Sequence, residues 1–313
     1  MHAEDLVVKT FGVIVAVLAL VSLIVFALES RLTPKLFVEL RDRLWGWWIM
    51  VGIFAVAMLS SWRITVVFFA FVSFLALKEY FALIAVRRAD RRILFWAYLA
   101  IPIQYYLIAQ GWYGFFVLFI PVYVFLFLPF RMITIGETAG YVRAISTIHW
   151  GLMTMVFCLS HLAWLLVMPT VESRTGTTAS GPAMVLFLVC LTQLNDVAQY
   201  VWGKSLGRRK ILPTVSPNKT WGGMLGGAAT TVLLSYLAAP YFTPLTVHQS
   251  LIAGVIIGVG GFIGDCAMAS LKRDIGVKDA SDMIPGHGGV IDRVNSLIYT
   301  APLFTHFIRY LHF

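Results

Sequence analysis

Residues 12–28 read GVIVAVLALVSLIVFAL, an apolar run without a charged side chain. With the residues on either side, the run reaches the roughly 20 positions that a helix needs to cross a bilayer. The segment before it contains Glu4 and Asp5 and lacks a small-residue cleavage site. We therefore expect a retained first membrane span and not a cleaved signal peptide.

The whole chain shares this apolar character. Of its 313 residues, 59% are hydrophobic and only 12% are charged, whereas soluble domains carry about 25% charged residues. So few charges exclude a soluble enzyme, a secreted disulfide scaffold and a disordered chain. The three cysteines, Cys158, Cys190 and Cys266, lie in apolar runs at spacings that match no metal motif.

Ten segments are long and apolar enough to be candidate spans. They cover residues 6–28, 45–62, 64–85, 93–110, 112–130, 148–168, 182–202, 221–243, 249–271 and 295–312. The third is a weaker candidate because it contains Lys78 and Glu79, so the number of spans is nine or ten. We therefore predict an all-α polytopic membrane protein with 9–10 transmembrane helices. We divide it into an N-terminal bundle of five spans, residues 1–147, and a C-terminal region, residues 148–313, that carries the motifs described below.

The formal net charge is +9, from 24 Lys and Arg against 15 Asp and Glu. If the spans alternate in direction, 19 of the 24 basic residues fall in loops on one side and four fall on the other. Such an excess is typical of cytoplasmic loops. The positive charge therefore predicts orientation in the membrane, with both termini outside, and we expect no nucleic-acid partner.

Two predicted spans contain a carboxylate at a similar depth, Asp196 and Asp265. A carboxylate at the bilayer centre costs about 2.5–3.5 kcal/mol on insertion scales and usually has a function. Each could instead be a buried Asp that a neighbouring helix satisfies, but their shared depth favours a cation between them. Asp292 and Asn295 are three residues apart at the start of the last span, so they would share a helix face.

Two charged loops lie on the same predicted side as these carboxylates. The first places Ser216, Lys219 and Thr220 at the start of the next helix, where hydroxyls, a cation and free N–H groups suit a phosphate. The second alternates cations, carboxylates and glycines; it holds Lys272, Arg273, Lys278, Asp279, His287 and Arg293. Together they predict a metal–nucleotide site, since Mg²⁺ commonly binds one or two carboxylates plus substrate phosphates. The apolar setting indicates a lipid as the second substrate.

At these residues the chain resembles the phosphatidate cytidylyltransferase (CDP-diacylglycerol synthase) family. The resemblance rests on NDVAQY (195–200), SPNKTWGGMLGG (216–227), ASLKR (269–273), KD (278–279), IPGHGGV (284–290) and DRVN (292–295). It covers roughly residues 190–300. The N-terminal half adds only a compatible multi-span pattern.

The resemblance implies that CTP and phosphatidate react to give CDP-diacylglycerol and pyrophosphate. It implies Mg²⁺, with room for a second metal ion, held by Asp265 and Asp292, with Asn295 as a weakened ligand and Asp196 completing the shell. Ser216, Lys219 and Thr220 would bind the CTP phosphates. The remaining residues would contact the lipid or pyrophosphate or order the loop; they are Lys272, Arg273, Lys278, Asp279, His287 and Arg293. We expect an inner-membrane enzyme whose active site faces the cytoplasm, with a homodimer as one candidate assembly.

Three positions depart from the family pattern. Ala269 replaces Ser, Gly222 replaces Glu, and Asn295 replaces the last Asp of the D-R-x-D motif. An Asn can ligate through its carbonyl oxygen but brings no charge. The chain is therefore either an enzyme with a modified metal centre or a paralogue with reduced activity or a different acceptor, such as another membrane lipid phosphate or alcohol. A third hypothesis is a transporter or scaffold with a decayed site, for which the glycines of GVIIGVGGFIG (254–264) suit close helix packing.

Overall fold

A computed structural model describes residues 3–31, 33–84, 87, 90–176, 178–281, 283 and 288–313. The helices are α1 (Ala3–Ala27), α2 (Pro34–Leu59), α3 (Trp62–Leu83), α4 (Arg91–Ala109), α5 (Tyr113–Ile133), α6 (Tyr141–Val167), α7 (Gly181–Leu206), α8 (Trp221–Phe242), α9 (Val247–Asp274), α10 (Val290–Val294) and α11 (Leu297–His312). Two short antiparallel hairpins connect helices: β1 (Val171–Glu172) with β2 (Thr178–Ala179), and β3 (Lys210–Leu212) with β4 (Ser216–Thr220).

Within these ranges, α1 to α9 are nine helices long and apolar enough to cross a membrane. The 16-residue α11 packs beside them through a face that includes Ala301, Phe304 and Ile308. An all-α polytopic membrane protein is therefore confirmed. The predicted boundary between residues 147 and 148 falls inside α6, and the division into two regions stays a prediction.

Three helix boundaries differ from those predicted by hydropathy. The second helix begins at Pro34, not near residue 45, because proline fits the first turn and the charged residues that follow remain helical. The ninth continues to Asp274, so Lys272 and Arg273 lie in its last turn. Asp292 lies in the separate short helix α10, before the last long helix begins at Leu297.

Helices α7, α8 and α9 pack closely because glycines lie at the interfaces between them. A Cβ atom on Gly258 of α9 would lie 2.9 Å from the Cα atom of Ala228 in α8. The buried Asn195 of α7 donates to the Gly258 carbonyl at 3.2 Å and accepts from the Thr231 hydroxyl at 3.0 Å. The helices that carry Asp196 and Asp265 are therefore fixed relative to one another.

The basic segments meet at one end of the helix bundle. Arg87, after α3, donates to the Ala139 carbonyl in the α5–α6 connection. Arg273 at the end of α9 donates to the Val215 carbonyl between β3 and β4 at 3.3 Å. Arg87, Arg143 and Asp274 also line one cavity, so the connections after α3, before α6 and after α9 lie together, and the assignment of this end to the cytoplasm stays a prediction.

Candidate active site

Lys219 and Asp265 form an ion pair near this end of the bundle. The β3–β4 hairpin presents Lys219, whose Nζ lies 2.6 Å from Asp265 Oδ2. The same Nζ donates to Gln199 Oε1 at 3.0 Å, and Asn295 Nδ2 donates to Asp265 Oδ1 at 2.8 Å. Residues from α7, the hairpin, α9 and the segment between α10 and α11 therefore converge on one carboxylate.

The second intramembrane carboxylate lies beside this cluster. Ser296, the neighbour of Asn295, donates its hydroxyl to Asp196 at 2.9 Å to Oδ2 and 3.1 Å to Oδ1. The Ser296 N–H donates to Asn295 Oδ1 at 2.7 Å. The consecutive pair Asn295–Ser296 thus joins Asp265 to Asp196, which sequence reasoning had placed at one depth.

Thr220, the last residue of β4, is the N-cap of α8. It is buried, and its hydroxyl accepts from the Gly223 N–H at 3.1 Å. One of the N–H groups at this helix start is therefore satisfied within the protein. Ser216 lies half-buried at the other end of β4, and phosphate binding by Ser216, Lys219 and Thr220 stays a prediction.

Both carboxylate oxygens of Asp292 accept hydrogen bonds, one from the last turn of α9 and the other from the segment between α9 and α10. Lys272 Nζ lies 2.6 Å from Oδ1, and the N–H groups of Ala280 and Gly289 lie 2.8 and 3.0 Å from Oδ2. Burial acts to raise the pKa of Asp292, but these donors outweigh it and hold the pKa below its ordinary value. Asp292 therefore joins the last turn of α9 to Ala280 and Gly289, which lie on either side of the motif's undescribed residues.

Glu79 of α3 is a second anchor of this segment, and sequence reasoning missed it. Its side chain is buried and accepts from the Ser281 hydroxyl and, at 2.7 Å, from the Ile291 N–H. Gly289 passes so close that a Cβ atom there would overlap the Glu79 carboxylate. The signal for it in the sequence is a carboxylate inside an apolar span.

The other predicted site residues lie around this core. Lys278 and Asp279 are exposed, and Arg273 is exposed beside the β3–β4 hairpin. Arg293 is half-buried; burial lowers its pKa, although the neighbouring Asp292, Asp196 and Asp279 act to raise it. His287 lies outside the described residues.

The oxygen atoms of this cluster supply only some of the ligands that a divalent cation needs. In the described part of the chain, no three His, Cys, Asp or Glu side chains gather as a metal site. Asp196 and Asp265, joined through Ser296 and Asn295, still match the one or two carboxylates that Mg²⁺ takes beside substrate phosphates. Asp292 fits less well as a ligand, since its oxygens accept from three donors, a lysine and two backbone N–H groups, whereas Asp265 accepts from two side chains and Asp196 from one.

Comparison with known proteins bears on what this cluster does. The model of the Cytidylyltransferase family matches residues 41–311. The chain belongs to this family. It is accordingly a nucleotidyltransferase of the membrane, and the predicted enzyme class and the resemblance are confirmed.

Named relatives divide into two groups. The chain is 44% identical to the uncharacterized protein YnbB of Escherichia coli (strain K12) over 302 residues, 96% of this chain and 98% of that protein. It is 36% identical to the phosphatidate cytidylyltransferase of Haemophilus influenzae over 141 residues, 44% of this chain and 49% of that enzyme. The phosphatidate cytidylyltransferase of Staphylococcus aureus (strain COL) is 32% identical over 163 residues, 51% of this chain and 61% of that enzyme. This pattern is consistent with a divergent paralogue.

Proposed function

We propose that the chain is a CTP:phosphatidate cytidylyltransferase of the bacterial inner membrane, with its active site on the cytoplasmic face. The observation that carries the proposal is the convergence of three motif segments on Asp265. Lys219 lies 2.6 Å and Asn295 lies 2.8 Å from its oxygens, and Asp196 is linked through Ser296. Cations and carboxylates at one end of an apolar bundle suit a reaction between a nucleotide and a lipid.

In the proposed reaction, a phosphate oxygen of the lipid attacks the α-phosphorus of CTP. A new P–O bond forms, the bond from the α-phosphorus to the bridging oxygen of the β-phosphate breaks, and pyrophosphate leaves. A phosphomonoester has a second pKa near 6, so the attacking oxygen is already ionised at neutral pH. The protein therefore needs to hold anions together more than it needs a general base.

Lys219 is the cation best placed to meet the triphosphate. Its ammonium neutralises Asp265 and contacts Gln199. We propose that the CTP phosphates replace Asp265 as the ion-pair partner of the Lys219 ammonium. A fixed positive charge there stabilises the negative charge that develops on the leaving pyrophosphate. Ser216 and Thr220, on the same strand, would add hydroxyl donors.

Mg²⁺, when bound, would supply further charge neutralisation at the phosphates. Asp265 and Asp196 would hold it, with the Asn295 carbonyl oxygen as an uncharged third ligand. Asp292 would act mainly by ordering the loop. A second metal ion would have to compete with Lys272 for that carboxylate.

Asn295 also supports a second candidate function. An uncharged side chain at this position lowers the negative charge of the site by one compared with the family pattern. A paralogue altered here could transfer the cytidylyl group to another membrane lipid phosphate or alcohol. Both candidates share the nucleotide half of the site and differ in the acceptor.

Label transfer from CTP into lipid tests the proposal. The purified full-length chain in nanodiscs is given CTP labelled at the α-phosphate, Mg²⁺ and one acceptor at a time: phosphatidate, a polyprenyl phosphate or diacylglycerol. We expect labelled CDP-diacylglycerol with phosphatidate and none from an Asp265→Asn control. Label in another acceptor would favour the second candidate, and no labelled lipid with any acceptor would reject both.

A further inference from the structure

An apolar groove runs along the bundle beside the candidate active site. It has a volume of about 340 Å³, within the range of about 300–1,000 Å³ that is usual for ligand pockets. Its walls come from α2, α3, α6, α7, α10 and α11, and they include Phe54, Phe68, Leu75, Val294 and Leu297. The groove belongs to the membrane-spanning part of the protein.

The groove opens toward the lipid. Ile53 of α2 and Phe71 of α3 line it and are 55% and 57% exposed. Both belong to helices long and apolar enough to cross the membrane. A hydrocarbon chain could therefore pass between α2 and α3 from the bilayer into the groove without crossing a polar surface.

A cation lies in the wall of this groove. Arg293 lines it, and the Nε atom of Arg293 is buried without a hydrogen-bond partner among the described residues. A buried N–H without a partner is costly, and a guanidinium matches the geometry of a phosphate. Arg293 can thus bind the anionic headgroup of a ligand whose hydrophobic chain fills the groove.

The same arginine adjoins the candidate active site. It follows Asp292 in the chain, it precedes Asn295 by two positions, and its charge interacts with that of Asp196. The groove and the carboxylate cluster are therefore neighbours that share one side chain. This continuity argues for a single amphiphile that reaches both, rather than for a structural lipid bound elsewhere on the bundle.

We propose that the groove holds an acyl chain of the acceptor lipid, which enters between α2 and α3 and places its phosphate on Arg293. The inference rests on the proposed function for the role of this lipid as acceptor. It adds the route from the membrane, the wall of the acyl site and the residue that selects a phosphate over a neutral headgroup.

Photolabelling tests occupancy without turnover. Full-length protein in nanodiscs receives phosphatidate with a diazirine in one acyl chain, or the matching diacylglycerol, and adducts are mapped by mass spectrometry. We expect adducts on groove residues such as Phe71 and Leu75, stronger with phosphatidate, and we expect Arg293→Gln to erase the preference. Adducts confined to other helices, or equal labelling by both lipids in the unaltered protein, would overturn the proposal.

Kinetics give an independent test with a matched control. Leu75→Trp fills the groove, whereas Val67→Trp adds the same side chain to a position of α3 that is 67% exposed and outside the groove. We expect Leu75→Trp to raise the KM for long-chain phosphatidate at least tenfold, with the KM for CTP and turnover of a short-chain acceptor unchanged. Equal long-chain KM values for the two variants would contradict the proposal.

The two proposals fail separately. If no acceptor is turned over but phosphatidate labels the groove in an Arg293-dependent manner, the groove assignment stands and the proposed reaction falls. If phosphatidate is turned over but labels only other surfaces, the reaction stands and the groove assignment falls.

Discussion

The buried carboxylate of Glu79 offers a direct test of how the glycine-rich segment is held. Its two oxygens accept from the Ser281 hydroxyl and the Ile291 N–H, and they join α3 to the start of α10. The substitution Glu79→Gln keeps the shape of the side chain. It removes the negative charge and replaces one accepting oxygen by an NH₂ group, so the Ser281 hydroxyl must change from donor to acceptor.

The size of the effect follows from these two contacts. A hydrogen bond to a charged group contributes about 1.5–3 kcal/mol. Because Gln can still accept one of the two, we expect a loss of about 2 kcal/mol in the free energy of opening the segment. At 1.4 kcal/mol per tenfold change, the open population should rise about 30-fold.

Hydrogen–deuterium exchange of the full-length protein in nanodiscs measures this opening. Peptides that contain Ile291 should exchange about 30-fold faster in Glu79→Gln, while peptides from α7 and α8 should be unchanged. The matched control is Lys78→Gln, which alters the adjacent exposed side chain.

Equal exchange near Ile291 in the two variants would refute the assignment of Glu79 as an anchor. Faster exchange throughout the bundle would refute it as well, since it would indicate general destabilisation and not the loss of one tether.

Three further predictions concern the nucleotide site, the loop and the helix packing. Lys219→Met should lower kcat/KM for CTP by about 10–100-fold in initial-rate assays, since one bond to a charged group is lost. Asp292 has a lowered pKa, so its stabilisation of the loop is complete above the ordinary Asp pKa of about 3.9 and is lost as the pH falls through the lower pKa of the folded state. Pepsin cleavage of the loop should therefore rise as the pH falls through that lower pKa. The variant Asp292→Asn should be cleaved readily at every acidic pH. Gly223→Ala places a Cβ atom 2.7 Å from the Gln199 carbonyl oxygen and should cost about 1–3 kcal/mol, lowering the Tm in detergent, whereas Gly12→Ala, in a helix with open space around it, should not lower the Tm.

Hydropathy predicted the helices because the bilayer demands long apolar runs wherever a chain crosses it. It placed the start of α2 near residue 45 because the charged turns that follow Pro34 are helical without being apolar. The β3–β4 hairpin was not predicted, since SPNKT contains a proline and no alternation of apolar residues. Composition thus predicts that these helices are present. Where a helix extends beyond its apolar run depends on local backbone contacts.

The site was predictable as a set of residues but not as a set of contacts. The intramembrane carboxylates and the charged loops stood out because such groups are costly in lipid. That Lys219 pairs with Asp265, while Lys272 pairs with Asp292, depends on where the β3–β4 hairpin and α10 lie against α9. Glu79 was hidden because its partners are backbone and hydroxyl donors more than 200 positions away in the chain.

The most direct test of the central claim is pyrophosphate release from CTP by the purified full-length protein with phosphatidate and Mg²⁺. The wild type is compared with Asp265→Asn and with Asn295→Asp, which restores the carboxylate of the family pattern. The account predicts release that depends on lipid and metal and is lost in Asp265→Asn, while Asn295→Asp reaches half-maximal rate at lower Mg²⁺. Undiminished release by Asp265→Asn would contradict the assignment of this cluster as the active site.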